Sequence, residues 1–123
     1  MSKNIKITWK AFGDKPEQGR FISSVEFELG SVHGQNINEI AEKNICEWIY
    51  KDTNTYGGLI WNQIEKKLSP TRTHTSISVG DEIEINGQVY ICADFGFEKI
   101  EDVEIKKFGD SVFSVTRKDE VSV

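Results

Sequence analysis

No apolar stretch of this 123-residue chain exceeds about five residues before a charge or a turn residue interrupts it. A membrane-spanning helix needs about 20, so none is expected. Met1-Ser2-Lys3-Asn4 leads directly into a strand-like run without the apolar core of a signal peptide, and cytoplasmic residence is the expectation. Cysteine is scarce: Cys46 and Cys92 stand far apart, with no C-x-x-C and no neighbouring histidine. They read as two reduced, buried, small side chains. Histidine is equally scarce, and His33 and His74 are each isolated, so no zinc-ligand spacing exists and no metal or other cofactor is expected. The chain lacks G-x-S-x-G, a Walker loop and H-E-x-x-H. Asp94-Phe95-Gly96 spells the magnesium-binding tripeptide of protein kinases, but the lysine strand and catalytic loop that give it meaning are missing. Catalysis is not expected.

What is present suffices for one folded domain. Hydrophobic residues make up 37% of the chain, and the aromatics are three Trp, three Tyr and seven Phe. The net charge of −5 is unevenly placed. Residues 81–104 carry Asp81, Glu82, Glu84, Asp94, Glu98, Glu101, Asp102 and Glu104 against one base, Lys99. A surface of that sign repels phosphate backbones and suits a basic protein partner, unless it is simply a solvated face.

The clearest local signal is Asn86-Gly87 between two alternating runs, Glu82-Ile83-Glu84-Ile85 and Gln88-Val89-Tyr90-Ile91-Cys92. Both central residues of a type I′ turn need φ > 0, so this pair predicts a two-residue hairpin. Ile83 and Ile85, and across the turn Val89 and Ile91, read as the apolar positions, with Tyr90 on the polar side. Ile5, Ile7, Trp9 and Ala11 alternate with Lys6, Thr8 and Lys10, and Phe21, Ser23, Val25, Phe27 and Leu29 with Ile22, Ser24, Glu26 and Glu28, predicting an antiparallel strand pair. From Ile37 the period becomes helical: Ile37, Ile40, Ala41, Ile45, Trp48 and Ile49 form one stripe, capped by Asn36 or Asn38. Residues 52–58 stop it, and a second helix is predicted over 59–68, ended by Pro70. Strand runs follow at 103–107 and 112–117, around a turn at Gly109-Asp110. The expectation is an α+β domain ordered ββααββββ, with a curved antiparallel sheet or partly closed barrel of about five or six strands and two helices on one side.

Candidate contact residues come from the acidic segment and its aromatics: Glu82, Glu84, Tyr90, Asp94, Phe95, Phe97, Glu98 and Glu101. Phe95 and Phe97 flank Gly96 and cannot both point inward from extended backbone, so one is expected to be exposed. Thr71-Arg72-Thr73-His74-Thr75-Ser76 gathers hydroxyls, a guanidinium and an imidazole; it reads as a polar connector or as an anion-binding segment using Arg72 and His74. Trp9 and Trp48 lie on inward stripes rather than on a stacking platform.

Ser78-Val79-Gly80-Asp81, the alternating strand, Asn86-Gly87, Tyr90 and Gly96-Phe97 together resemble a hairpin module of small uncharacterised phage and plasmid proteins. The resemblance spans residues 75–100. It implies a mobile-element setting and carries no catalytic residue. The leading functional expectation is a non-enzymatic protein-binding module whose acidic face docks on a basic host or partner protein, as an anti-defence inhibitor would. The alternatives are an RNA- or DNA-binding module using Lys3, Lys6 and Lys10, and a small enzyme or ligand sensor built on residues 72–76. Acids gathered on one face would favour the first, and bases converging with exposed aromatics the second.

Overall fold

A computed structural model describes residues 2–10, 24–32, 34–55, 58–65, 77–109 and 111–118. It is α+β. Five strands form an open antiparallel sheet in the order β2-β1-β5-β6-β7: β1 (Lys3–Thr8), β2 (Ser24–Leu29), β5 (Glu82–Ile85), β6 (Gln88–Cys92) and β7 (Phe97–Lys99). Among the described residues β2 and β7 are its edges and do not meet, so the sheet stays open. Two further strand pairs stand beside it: β3 (Ser31–Val32) with β4 (Gln35–Asn36), and β8 (Val103–Phe108) with β9 (Ser111–Arg117). The helices are α1 (Glu42–Thr53) and α2 (Leu59–Glu65).

The β1–β2 pair follows from its alternation. Ile5 faces Phe27 and Ile7 faces Val25, all buried, while Lys6 faces Glu26 on the other side. The Asn86-Gly87 turn has φ of 46° and 91°, as a type I′ turn requires. Asn86 also fastens the turn to β1. Its Oδ1 accepts from Asn4 N–H at 2.8 Å, and its own N–H donates to Asn4 C=O at 2.9 Å.

The helical stripe from Ile37 divides in two. Ile37–Glu39 is a 3-10 turn, capped by Asn36 Oδ1 accepting from Asn38 N–H at 2.9 Å. Ile40 returns to extended backbone, and α1 begins only at Glu42. Ile37 N–H is held by Gly30 C=O at 3.0 Å, so the chain must turn before the helix can start. Before it, the two short strands β3 and β4 pair across Val32 and Gln35, and Val32 buries its side chain.

The isoleucines Ile5, Ile7, Ile37, Ile45, Ile49, Ile60, Ile64, Ile83 and Ile85 fill the space between one sheet face and the helices, with Cys46, Tyr90, Cys92 and Phe97. A second, smaller core lies behind β6, where Ile91 and Ala93 meet Val103 and Val115 of the β8–β9 hairpin. This corrects the face assigned to Tyr90. In a two-residue hairpin Ile83 stands opposite Tyr90, and Glu82 opposite Ile91. Ile83 and Tyr90 therefore share the helix-facing side, and Ile91 goes to the opposite side.

Candidate interaction surfaces

The eight acids of residues 81–104 do not form one surface. Asp81 is only 2% exposed. Its Oδ1 accepts from Lys10 N–H at 2.7 Å and its Oδ2 from Ser78 N–H at 2.9 Å, while its own N–H closes the turn on Ser78 C=O at 2.9 Å. Ser78-Val79-Gly80-Asp81 is thus a folding device, a turn stapled by its own carboxylate. Gly80 is needed twice over: its φ is 101°, and an added Cβ would lie 2.7 Å from Val112 Cβ.

Five of the other acids also face partners from other elements. Glu82 pairs with Lys10 Nζ at 3.4 Å, and Glu84 stands opposite Lys6 in the ladder. Asp94 Oδ1 accepts from Val115 N–H and Oδ2 from Ser114 Oγ–H, both at 2.9 Å, and Asp94 N–H donates to Val115 C=O at 2.9 Å. It bolts β9 to the turn after β6. Glu98 bridges Lys43 at 2.6 Å and approaches Arg117 at 3.9 Å. Glu101 Oε1 accepts from Gln88 Nε2 at 3.0 Å; a backbone hydrogen bond, seconded by Gln88, holds its carboxyl below the ordinary range. Asp102 and Glu104 are exposed.

Acidity gathers instead across strands. Glu26, Glu28 and Glu84, with Lys6, Asn4 and Asn86, line an open groove of about 870 Å³ on the polar face of the sheet. Two of these carboxylates lie outside the acidic segment that stands out in sequence. The lysines proposed for nucleic acid are each met by acids: Lys3 Nζ reaches Glu42 at 3.1 Å, Lys10 reaches Glu82, and Lys6 stands between Glu26 and Glu84.

Tyr90 and Phe97 leave the surface candidates because both are buried. Tyr90 O–H donates to Glu42 Oε1 at 2.6 Å across the base of α1, and Phe97 packs its ring edge-on to Tyr50 at 6.1 Å between centroids. Burial, then the Glu42 carboxylate, pushes the Tyr90 phenol up. Burial would raise Glu42 too, but the Tyr90 and Lys3 hydrogen bonds and the Lys3 charge outweigh it, and its pKa is lowered.

Three other phenylalanines stand in solvent: Phe95 is 89% exposed, Phe108 83% and Phe113 62%. Phe95 is thus the member of the Phe95–Phe97 pair that turns outward. Phe108 and Phe113 are exposed without a comparable expectation from sequence, though Val112-Phe113-Ser114-Val115 holds the signal. Val112 and Val115, three apart, cannot share a face of a regular strand. Both nevertheless pack on the second core, and the register between β8 and β9 slips by one between Lys106 and Lys107. Lys107 faces Val112 and Lys106 faces Ser114, so Phe113 is the extra residue of a bulge. Asp94, beside Phe95, is bonded to Ser114, the neighbour of Phe113; Phe108 stands at the tip, opposite Ser111. Residues 103–118 carry Lys106, Lys107, Arg117 and Lys118 against Glu104 and Asp110, a basic excess within an acidic chain.

Both thiols are free and buried; burial, then nearby carboxylates, pushes Cys92 up to about 12 and Cys46 higher still. Among the described residues no three His, Cys, Asp or Glu side chains could jointly hold a metal ion, and no helix is long and apolar enough to cross a membrane. Arg72 and His74 lie outside the described residues. Comparison with known proteins yields no matching family model, no matching curated protein and no matching solved structure.

Proposed function

We propose that this chain is a non-enzymatic protein-binding module whose contact surface is the phenylalanine-bearing end of the β8–β9 hairpin, with Phe95 beside it. One observation carries the reading: Phe95, Phe108 and Phe113 are all more than half exposed on connected segments of one hairpin and the turn bolted to it. Burying a phenylalanine in a partner is worth about 1.5–3 kcal/mol, and aromatic anchors of this kind dominate interface energetics. Leaving three in water has a cost that a partner removes. Two inert thiols and carboxylates occupied with structural bonds support binding over catalysis. The resemblance to phage and plasmid proteins makes a host protein the partner of choice.

The polar sheet face supports a second reading, in which Glu26, Glu28 and Glu84 receive a basic partner in the groove they line. This keeps the acidic-docking idea but moves it from one sequence segment to three strands. Nucleic acid is the third reading, now carried by Lys106 and Lys107 near the phenylalanines instead of by Lys3, Lys6 and Lys10.

The test is capture from host lysate on immobilised protein, with and without nuclease. Wild type, a Phe95→Ser/Phe108→Ser/Phe113→Ser variant and a Glu26→Gln/Glu28→Gln/Glu84→Gln variant are compared. The proposal expects a defined protein retained by wild type and the Gln variant, lost with the Ser variant and indifferent to nuclease. Loss with the Gln variant alone would transfer the role to the groove, and loss on nuclease treatment would transfer it to nucleic acid.

A further inference from the structure

The β8–β9 hairpin is a two-stranded sheet, and the direction of its backbone groups can be read from its anchor. Val115 donates its N–H to Asp94 Oδ1 and accepts Asp94 N–H at its C=O, so both groups point away from β8. In an antiparallel ladder the residue opposite such a position also turns its N–H and C=O outward. That residue is Ile105. The adjoining register agrees, for Lys118 N–H donates to Asp102 C=O at 3.0 Å, three positions from Ile105 and so on a pair bonded across the hairpin. Among the described residues no strand pairs with this outer edge of β8. Glu104, Lys106 and Lys107 along it are exposed, and Ile105 itself is 37% exposed.

We infer that β8 pairs with β8 of a second copy of this chain, antiparallel and about a two-fold axis through Ile105. The charges along the strand select this register. With the axis at Ile105, Glu104 of each copy stands opposite Lys106 of the other, giving two complementary cross-strand pairs on one face and an Ile105–Ile105 contact on the other. An axis at Glu104 opposes two glutamates; one at Lys106 or Lys107 opposes two lysines. Opposite charges facing across a ladder stabilise by about 0.2–1 kcal/mol per pair, and like charges destabilise. At Ile105 the two copies exchange N–H···O=C bonds through groups that already point outward. The product is a four-stranded β9-β8-β8-β9 sheet closed by a single two-fold axis, which uses up the edge that would otherwise template open-ended association.

Sedimentation velocity between about 10 µM and about 1 mM, the range in which small interfaces dissociate, tests this. Wild type is expected to pass from monomer to dimer. Glu104→Lys and Lys106→Glu should each weaken the dimer roughly tenfold, from two cross-strand pairs turned repulsive. The double variant Glu104→Lys/Lys106→Glu should restore it, because the exchanged charges still complement one another. An equimolar mixture of the two single variants should form a heterodimer tighter than either homodimer. A monomer at every concentration would overturn the inference and make Lys106 and Lys107 guards of an open edge. A dimer indifferent to the charge exchange would also overturn it, placing the interface elsewhere. Phe95, Phe108 and Phe113 are unaltered in every variant, so failure here leaves the lysate-capture reading standing, and the reverse holds.

Discussion

The two faces of β6 are covered in different ways. Towards the helices, Tyr90 and Cys92 join a core of fully buried isoleucines contributed by two strands, β1 and β5, and both helices. Towards the β8–β9 hairpin, Ile91 and Ala93 meet only Val103 and Val115, with Val79, Ile100 and Val112 at the margin. The first core is large enough to determine the fold. The second is just large enough to seat a hairpin, and most of that hairpin's side chains stay in solvent. Stability and the surface proposed for binding are thereby separated: residues exposed on the hairpin can change with little consequence for the sheet.

The sharpest way to break that separation is to cut each core in turn. Ile83→Ala removes a fully buried side chain from the first and is expected to cost about 2–5 kcal/mol, measured by urea denaturation, with the whole chain unfolding as one. A loss below about 1 kcal/mol would mean the two cores are not ranked as argued.

Asp94→Ala acts on the second core by removing the acceptor for Val115 N–H and Ser114 Oγ–H. A local cost of about 1–3 kcal/mol is expected, because it strands a backbone donor. Hydrogen exchange should quicken at Val115 and across β8–β9, while amides of β1 and β5 keep their protection. Uniform quickening over both regions would show that the hairpin does not open separately from the sheet.

The Lys3–Glu42–Tyr90 network belongs to the first core and gives it a pH signature. Glu42 has a lowered folded pKa, so its contribution is present above the ordinary value of 4.5 and is lost as pH falls through the lower folded value. Tyr90 has a raised folded pKa, so its contribution is complete below the ordinary value of 10.0 and is lost as pH rises towards the folded one. Wild type should therefore lose melting temperature at both extremes. Glu42→Gln should lower the melting temperature near neutral pH and flatten the acid limb. An unchanged acid limb would remove Glu42 from the pH dependence.

The smallest expected effect is Phe108→Ser, within about 0.5 kcal/mol of wild type, since the ring is exposed. A cost above about 1.5 kcal/mol would mean that Phe108 packs in solution, and the surface proposed for binding would contract to Phe95 and Phe113.

The candidate contacts divide along the same line. Glu82, Glu84, Asp94, Glu98 and Glu101 stand out in sequence because acids there outnumber bases, but charge density along a chain is not charge density in space. Alternation sends neighbouring acids to different faces, and backbone donors or lysines from distant elements claim several of them. Phe108 and Phe113 do not stand out, because a lone phenylalanine near a turn is as compatible with a core as with a surface. Only the spacing of Val112 and Val115 marks the bulge.

What the amino-acid sequence determined alone was local. Asn86-Gly87 dictates a type I′ turn, since few other residue pairs tolerate positive φ at both positions. The β1–β2 alternation dictates one buried face, and the apolar stripe from Ile45 to Ile49 dictates a helix lying on it. The two-residue turn even sets Ile83 and Tyr90 on the same side, a parity that follows from counting residues outward from Asn86-Gly87. Tertiary structure decided which side of β6 each core would occupy, because a strand with apolar residues on both faces has no preference until neighbours cover them. It also decided that Asp81 would be buried, that Phe95, Phe108 and Phe113 would not be, and that, among the described residues, no strand would cover the outer edge of β8. Each depends on elements distant in sequence arriving at one place, and no local pattern encodes that arrival.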